Sequence, residues 1–216
     1  MKRAQEVPSR RPYDASGRRR RAEERRIEVI RCALTVFSEK GLESTTMADL
    51  AAAAGVSVPY LERLGTKADL FAMVIEHSTL GPETQTVERA RKEFDKVAHL
   101  LSRDELIAHI ARGSAEWNER SHRLWRMWAI STDTALQARW QQNMSEIRGG
   151  WEAFLTRFDD RGWWRSDIAR SEQAATLWIL TLAETYGRLV EDAGLTHEEY
   201  VLWLERGVRA ALVGDG

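Results

Sequence analysis

Two parts of the chain carry side chains suited to binding a polyanion. The first is a run of consecutive arginines, Arg18 to Arg21. The second is residues 55–67, GVSVPYLERLGTK, in which a Gly-Val-Ser turn precedes a short amphipathic helix bearing Tyr60 and Arg63. Guanidinium groups bind phosphates and pair with the edge of guanine, and a tyrosine hydroxyl can reach a phosphate. These residue types indicate recognition of nucleic acid.

No sequence motif supports an enzyme. The sequence contains no glycine-rich phosphate loop, no Gly-x-Ser-x-Gly and no His-Glu-x-x-His. Glu105 and His109 lie four residues apart and could hold a metal ion or relay a proton. Such a pair is more often a simple interaction on a helix surface. We therefore predict no catalytic residue, no metal site and no cofactor.

The charge distribution separates a basic end from an acidic body. The net charge is −1, yet residues 1–31 contain eleven Lys and Arg against five acidic residues, which makes this end +6 and the remainder −7. A basic end on an acidic body indicates that one end meets a polyanion. The alternative is a solubilising tail.

Composition indicates a cytoplasmic protein with a sizeable core. Cys32 is the single cysteine, and no apolar run approaches the length of a membrane helix. No apolar h-region follows the arginine-rich end, so we predict that this end is not a signal peptide. The chain also contains nine tryptophans, which need large burial sites or an aromatic-lined cavity.

Capping residues and glycines divide the N-terminal part into four predicted helices. These run from Ala22 to Gly41, from Thr46 to Gly55, from Ser57 to Gly65 and from Thr66 to Gly81. Either Thr45 or Thr46 can cap the second helix, and Asp49 is placed to complete a capping box with Thr46. Pro59 is tolerated in the first turn of the third helix.

The remaining chain is predicted to be helical too, because no strand-like alternation is present. Predicted helices cover 84–101, 103–120, 121–131, 134–158, 171–192 and 197–213. Ser102 with Glu105 and Thr196 with Glu199 are further capping boxes. A turn is expected at 162–164.

Residues 41–71 resemble the DNA-binding domain of the TetR family of transcriptional regulators. That pattern has a glycine after the first helix, a threonine pair, an Ala-Gly-Val-Ser turn, a short recognition helix and a Thr-Lys pair. The matching positions are Gly41, Thr45, Thr46, Leu50, Ala51, Ala54, Gly55, Val56, Ser57, Thr66, Lys67 and Leu70. Residues 184–213 also resemble the closing helices of many such regulators.

The resemblance implies an all-α protein with an N-terminal helix-turn-helix DNA-binding domain and a C-terminal helical ligand-binding and dimerisation bundle. We expect a basic disordered arm at 1–20, the DNA-binding domain at 21–80 and the ligand-binding and dimerisation domain at 81–216. The implied partners are a double-stranded DNA operator, a second copy of the chain and a small-molecule effector.

The predicted DNA contacts combine the arginines with the helix-turn-helix. Lys67 matches the phosphate-binding lysine of the family, Thr46 lies at a helix N-terminus that can take a phosphate, and the arginines precede helix one, where arms enter the minor groove. The full set is Arg18, Arg19, Arg20, Arg21, Thr45, Thr46, Ser57, Pro59, Tyr60, Glu62, Arg63 and Lys67.

The recognition helix is one residue shorter than is common in the family, which leaves two placements open. With the gap at the helix end, Leu61 is buried, Leu64 closes the core, and Tyr60, Glu62 and Arg63 face DNA. With the gap at the helix start, Tyr60 and Leu64 form the buried pair and Leu61 faces outward. The first placement is preferred because it keeps an apolar residue out of the wet groove.

Four tryptophans are candidates for an effector site, although such a stripe is more often core. With nearby polar groups, the set is Trp117, Trp125, Trp128, Trp178, Thr181, Glu184 and Thr185. It would suit a hydrophobic or aromatic ligand. The predicted function is a transcriptional regulator, a repressor released from a palindromic operator by such a ligand. The alternative is a helical ligand-binding or protein-interaction module with weakened or lost DNA binding.

Overall fold

The computed structural model describes residues 15–81 and 87–213, which form helices and turns without a strand. The helices are α1 (Ala15–Lys40), α2 (Met47–Ala54), α3 (Val58–Leu64), α4 (Lys67–Leu80), α5 (Val87–Ala98), α6 (Arg103–Ala129), α7 (Thr134–Arg157), α8 (Arg170–Leu180), α9 (Ala183–Tyr186) and α10 (His197–Leu212). A π-helical segment, Gly187–Asp192, extends α9, and a 3-10 turn, Asp159–Arg161, follows α7. The all-α prediction is confirmed. None of the helices described is both long and apolar enough to cross a membrane.

Helix α1 covers more of the basic end than the sequence predicted. It includes Ala15 and places Arg18 to Arg21 on exposed helical turns, where a disordered arm was expected. The predicted arm also includes residues 1–14, which lie outside the described residues. Arginine, alanine and glutamate favour helix, and neither proline nor glycine interrupts residues 18–40.

The predicted helix starts are confirmed by their capping boxes. Thr46 pairs with Asp49, Ser102 with Glu105 and Thr196 with Glu199, each through two reciprocal side-chain-to-backbone hydrogen bonds. Thr66 caps α4 and pairs in the same way with Asp69. Each pair satisfies two backbone N–H groups at a helix start that would otherwise lack partners.

The predicted separation of 103–120 from 121–131 is wrong, because α6 is continuous from Arg103 to Ala129. The hydroxyl of buried Ser121 donates to the carbonyl of Trp117, 2.8 Å away, within the helix itself. No glycine or proline lies between residues 114 and 129 to stop the helix. One long helix therefore runs the length of the bundle.

The predicted single helix at 171–192 is also wrong, because α8 ends at Leu180 and α9 begins at Ala183. Asn118 of α6 causes this interruption. Its buried side-chain amide donates to the carbonyls of Thr181 at 3.1 Å and Leu182 at 3.3 Å. The Thr181 hydroxyl donates back to the Leu177 carbonyl at 2.7 Å. These hydrogen bonds from side chains satisfy the backbone carbonyls at the break, where the regular helical hydrogen bonds are interrupted.

Two apolar cores divide the molecule along α6. The first core contains residues of the four helices α1, α2, α3 and α4, of the C-terminal part of α6 and of parts of α7, together with Ala183. The second joins the N-terminal part of α6 with the ends of α5 and α7, and with α8, α9 and α10. The core under the helix-turn-helix is therefore completed by the bundle, and both cores share one rigid helix.

Gly65 makes the short connection between α3 and α4. Its φ of +148° lies where residues with a side chain are rarely found. A Cβ built on Gly65 would also lie 2.6 Å from the Cβ of Asp69, the capping partner of α4. Glycine is therefore required here for both its backbone conformation and the close approach of the next helix.

We expect Gly65→Ala to lower the free energy of unfolding by about 1–3 kcal/mol, the usual cost of a strained backbone position. Gly149→Ala is the matched control. Gly149 lies inside α7 with no atom within 4 Å of a built Cβ, so alanine should stabilise by roughly 0.5–1 kcal/mol. Urea denaturation followed by circular dichroism measures both changes. Equal stability of Gly65→Ala and the parent protein would contradict the assigned strain.

Candidate nucleic-acid interface

Helix α3 is anchored by Leu61 and turns its charged residues outward. Leu61 is fully buried at 0% exposure, whereas Glu62 and Arg63 are exposed. Tyr60 and Leu64 are half-buried and pack on the same core. The burial of Leu61 that the preferred placement predicts is confirmed, and the placement with Leu61 facing outward is wrong. Tyr60, which the preferred placement turns toward DNA, is only partly exposed.

Arg63 is held against Tyr60. Its guanidinium carbon lies 5.5 Å from the centre of the tyrosine ring, within the range of a cation–π interaction. Since Tyr60 packs on the core, the ring forms a fixed support for the arginine. The exposed surface of α3 then consists of Pro59, Glu62 and Arg63. The supported guanidinium of Arg63 can donate to a guanine edge, and the carboxylate of Glu62 beside it can accept from a cytosine amino group.

The two threonines before α2 have different surroundings. Thr46 is exposed, and its hydroxyl is engaged with Asp49 in the capping box. Thr45 is buried, and its hydroxyl donates to the Gly41 carbonyl at 2.7 Å. The prediction that Thr45 contacts DNA is wrong, because this side chain fills the core and closes the turn after α1.

Asp49 fixes the start of α2 to the end of α1. The Lys40 ammonium donates to its carboxylate at 2.5 Å. This hydrogen bond, followed by those from Thr46, lowers the pKa of Asp49 to about 2. The carboxylate is therefore charged throughout the physiological range and keeps the two helices in register.

Ser57 and Lys67 lie at either end of the recognition helix. Ser57 occupies the N-cap position of α3, is exposed and makes no capping hydrogen bond. Lys67 is the first residue of α4 and is half-buried, and its ammonium donates to the Leu42 carbonyl at 3.2 Å. An ammonium has three hydrogens, so this bond leaves donors for a phosphate.

The basic face of α1 is fixed to the helix-turn-helix by Arg25. Its guanidinium donates to the carbonyl of Gly55, in the turn before α3, at 3.1 Å. Arg18 to Arg21 lie one to two turns earlier on the same helix and are exposed. Sequence reasoning missed Arg25, because nothing in the sequence indicates which arginine reaches across to another helix.

The structure separates the tryptophans that the sequence grouped. Trp125 and Trp128 are buried in the first core, stacked with ring centres 5.6 Å apart, and the Trp128 indole N–H donates to the Leu136 carbonyl at 2.8 Å. Trp117 is 39% exposed on α6. These three are core or surface residues in this conformation, and Trp178 packs half-buried against the first core.

Several buried side-chain polar atoms have no hydrogen-bond partner among the residues that the structure describes. They include the indole nitrogens of Trp140 and Trp178, which both pack on the first core, and one carboxylate oxygen of Glu184 in α9. Burial raises the pKa of Glu184 above its ordinary value. The hydroxyls of Thr181 and Thr185 are instead bonded to carbonyls of α8. Trp140 was missed, since the sequence does not distinguish it from the other tryptophans.

No group of three or more His, Cys, Asp or Glu residues that could hold a metal ion is present within 15–81 and 87–213. Glu105 serves as the capping partner of Ser102, and its predicted partner His109 stacks on Phe94 with ring centres 5.2 Å apart. This pair has structural contacts of its own.

Comparison with known proteins agrees with this geometry. Residues 29–73 match the family model of bacterial regulatory proteins of the tetR family. Among curated proteins, no sequence matches the chain.

Several solved structures share the fold at low sequence identity. A TetR-family protein of Syntrophomonas wolfei has a TM-score of 0.70 at 15% identity, covering 88% of this chain and 95% of its own. NalD of Pseudomonas aeruginosa, the secondary repressor of a multidrug efflux pump, has a TM-score of 0.66 at 18% identity, covering 90% and 100%. FadR of Bacillus subtilis, in complex with stearoyl-CoA, has a TM-score of 0.64 at 12% identity, covering 88% and 99%.

The family model covers α2 and α3 with the flanking parts of α1 and α4, which are the helices that orient Arg63 and Lys67. The solved structures extend the same fold through the bundle. Residues 29–73 thus match the tetR family of bacterial regulatory proteins, and the solved structures show that the chain as a whole has the same fold.

Proposed function

We propose that the protein is a dimeric repressor that binds a palindromic DNA operator and is released by a small ligand. The observation that carries this proposal is the orientation of α3, in which buried Leu61 turns Glu62 and Arg63 outward. A helix-turn-helix places its second helix in the major groove, where such side chains reach base edges.

Each exposed group has a proposed role at the operator. Arg63 reads guanine, Glu62 accepts from cytosine, and Lys67 binds a phosphate. Thr46, Ser57, Pro59 and the rim of Tyr60 lie along the flanking backbone. Arg18 to Arg21 approach the DNA as part of a helix held by Arg25, and supply charge that is independent of sequence.

The dimer interface that we propose lies on α8 and α10. These two helices pack closely, since a Cβ on Gly207 would lie 3.2 Å from the Leu180 side chain. Ile179 of α8 and Leu202 of α10 are 51% and 55% exposed. A groove of about 320 Å³ runs along α8 beside Ile179 and Leu180. Exposed apolar side chains next to a groove are typical of protein interfaces.

We propose that the effector site lies beside the α8–α9 break. The effector would be a largely apolar molecule with a polar group, because buried polar atoms without partners are costly and favour a ligand that supplies them. The candidates are the Trp178 and Trp140 indoles and Glu184. The related FadR structure contains stearoyl-CoA, an amphiphile of this general kind.

Release would follow from a shift between two conformers. Helix α4 packs against α6 and so connects the recognition helix to the bundle. Phe71 packs edge-on against Trp128 with ring centres 5.8 Å apart, and Arg120 donates two hydrogen bonds to the Thr79 carbonyl. A ligand that displaces α6 would therefore swing α4 and change the spacing of the two recognition helices.

The alternative function, a helical module that has lost DNA binding, depended on the short recognition helix. The buried Leu61 favours the regulator, because it keeps Glu62 and Arg63 on the outer face of α3 despite the shortness of the helix. We retain as proposals a cytoplasmic location, the absence of enzymatic activity and the division into 1–20, 21–80 and 81–216.

Selection from random duplex DNA tests this function. We expect a palindrome whose half-sites lie about one helical turn apart, because two recognition helices related by a dyad sit about 34–36 Å apart. Absence of any selected sequence at low salt would refute the proposal.

The double variant Ile179→Glu/Leu202→Glu tests the proposed dimer interface. It should sediment as a monomer and lose operator binding, with Glu198→Gln on the exposed start of α10 as the control.

The proposed base reader and the basic helix should respond differently to mutation. Arg63→Ala should cost about 1–3 kcal/mol at its own base position and relax preference there. Replacing Arg18 to Arg21 with glutamine should weaken binding to all sequences and flatten the salt dependence, by about 0.9 in slope for each phosphate that is no longer neutralised. Fluorescence anisotropy at several salt concentrations separates the two. The same sequence preference after Arg63→Ala would contradict base reading.

The effector proposal makes its own prediction. Stearoyl-coenzyme A and an anilinonaphthalene sulfonate dye are suitable probes, and we expect at least one to quench tryptophan emission. Trp178→Phe and Glu184→Gln should each weaken that binding by roughly tenfold, as expected for loss of a buried hydrogen bond to a ligand. Trp117→Phe is the control on the exposed face of α6. Quenching that is unchanged in both site variants would place the ligand elsewhere.

A further inference from the structure

Glu43 forms a direct hydrogen-bonded link between the helix-turn-helix and the bundle. It lies in the turn between α1 and α2. One carboxylate oxygen accepts from the Ser131 hydroxyl at 2.7 Å and from the Thr132 backbone N–H at 2.8 Å, and the Thr132 hydroxyl makes a longer contact with it at 3.5 Å. Ser131 and Thr132 belong to the loop between α6 and α7. The Ser131 hydroxyl, then the Thr132 amide, hold the pKa of the Glu43 carboxyl below its ordinary value.

The loop that binds Glu43 is internally fixed. The Gln137 side-chain amide donates to the Ser131 carbonyl at 2.7 Å, and Asp133 caps α7 through the backbone N–H groups of Ala135 and Leu136. Ser131 is itself buried. The two donors to Glu43 therefore move only if the end of α6 or the start of α7 moves.

Glu43 is also adjacent in the chain to a residue that contacts Lys67. Its neighbour Leu42 is buried and accepts a hydrogen bond from Lys67, and the Lys67 charge contributes to lowering the Glu43 pKa. Two adjacent residues thus contact both the bundle loop and the lysine at the start of α4. That lysine is the one assigned above to a DNA phosphate.

The loop is also joined to the tryptophan pair at the end of α6. The Trp128 indole bonds the Leu136 carbonyl, just past the loop, and Trp128 stacks on Trp125. A displacement of the C-terminal end of α6 would therefore also move Ser131, which lies only a few residues further along the chain. Through Glu43, that movement would affect the DNA-binding surface.

We propose that Glu43 is a positioning residue that couples the bundle to DNA binding by exchanging partners. In the DNA-binding conformer, Ser131 and Thr132 hold its carboxylate. When the α6–α7 loop moves, the carboxylate loses these donors and pairs with the Lys67 ammonium, which withdraws that charge from the phosphate. This coupling rests on the proposed function.

The exchange accounts for the use of a carboxylate at this exposed position. A neutral amide could accept the same two hydrogen bonds. Only a carboxylate, once released, would compete strongly with a phosphate for an ammonium, since hydrogen bonds between charged partners are about twice as strong as neutral ones. Glu43→Gln therefore keeps the link and removes the competition.

Operator binding without any ligand tests the exchange. Ser131→Ala removes one donor, so it should weaken binding by about tenfold and lower the salt slope by about 0.9, because Lys67 would no longer neutralise a phosphate. Adding Glu43→Gln to Ser131→Ala should restore affinity to within about twofold of the parent, because the released side chain has no charge. Thr134→Val changes an exposed threonine at the start of α7 without removing a donor to Glu43, and it is the control expected to bind normally.

Glu43→Asp provides a second route at an exposed residue. It keeps the charge but withdraws the carboxylate from Ser131, so it should weaken binding as Ser131→Ala does. Glu43→Asp therefore tests the exchange even if the Ser131→Ala variant folds poorly. Parent-like binding by both variants overturns the coupling, as does a double variant that remains as weak as Ser131→Ala. Failure of the parent protein to bind any duplex would instead refute the proposed function, and the coupling with it.

Discussion

The burial of Phe71 is the interaction on which the rest of the structure depends. This α4 side chain is fully buried between Phe37 of α1, 4.9 Å away edge-to-face, and Trp128 of α6. A helix-turn-helix of two short helices has too little apolar surface to hold its own position. Phe71 gives it a base on α1 and joins that base to the bundle. The orientation of α3 is therefore determined partly by a helix that begins more than thirty residues later in the chain.

Helix α6 connects the two halves because its ends belong to different cores. Its C-terminal part packs under the DNA-binding helices, and its N-terminal part packs with α8 and α10. Asn118, near its middle, bonds the backbone at the α8–α9 break and approaches the Tyr200 hydroxyl at 3.4 Å. A ligand bound beside that break would act on a rigid element with direct contacts to α4 and to the α6–α7 loop. No flexible connection is required for the two sites to communicate.

Features with a local cause could be predicted from the sequence. Thr46, Ser102 and Thr196 start helices through partners three residues away, and Leu61 is buried because an apolar residue disfavours the wet groove. Features with a distant cause could not. The break after Leu180 depends on Asn118, and Glu43 finds Ser131 across a separation of 88 residues. Thr45 was misassigned because a threonine pair does not reveal which member caps and which fills the core. The sequence assigned four tryptophans to one effector site, although some of them are core or surface residues. Helical spacing alone does not distinguish a tryptophan in the core from one that lines a cavity.

The central claim is that the short helix α3, which ends at Leu64, enters the major groove with Arg63 at a guanine. Methylation protection at guanine N7 on the selected duplex tests this most directly, because that atom is exposed in the major groove. The account predicts two protected patches about one helical turn apart, each lost with Arg63→Ala and kept with Glu62→Gln. Binding without any N7 protection would contradict it, because the protein would then hold the DNA through its backbone or minor groove alone.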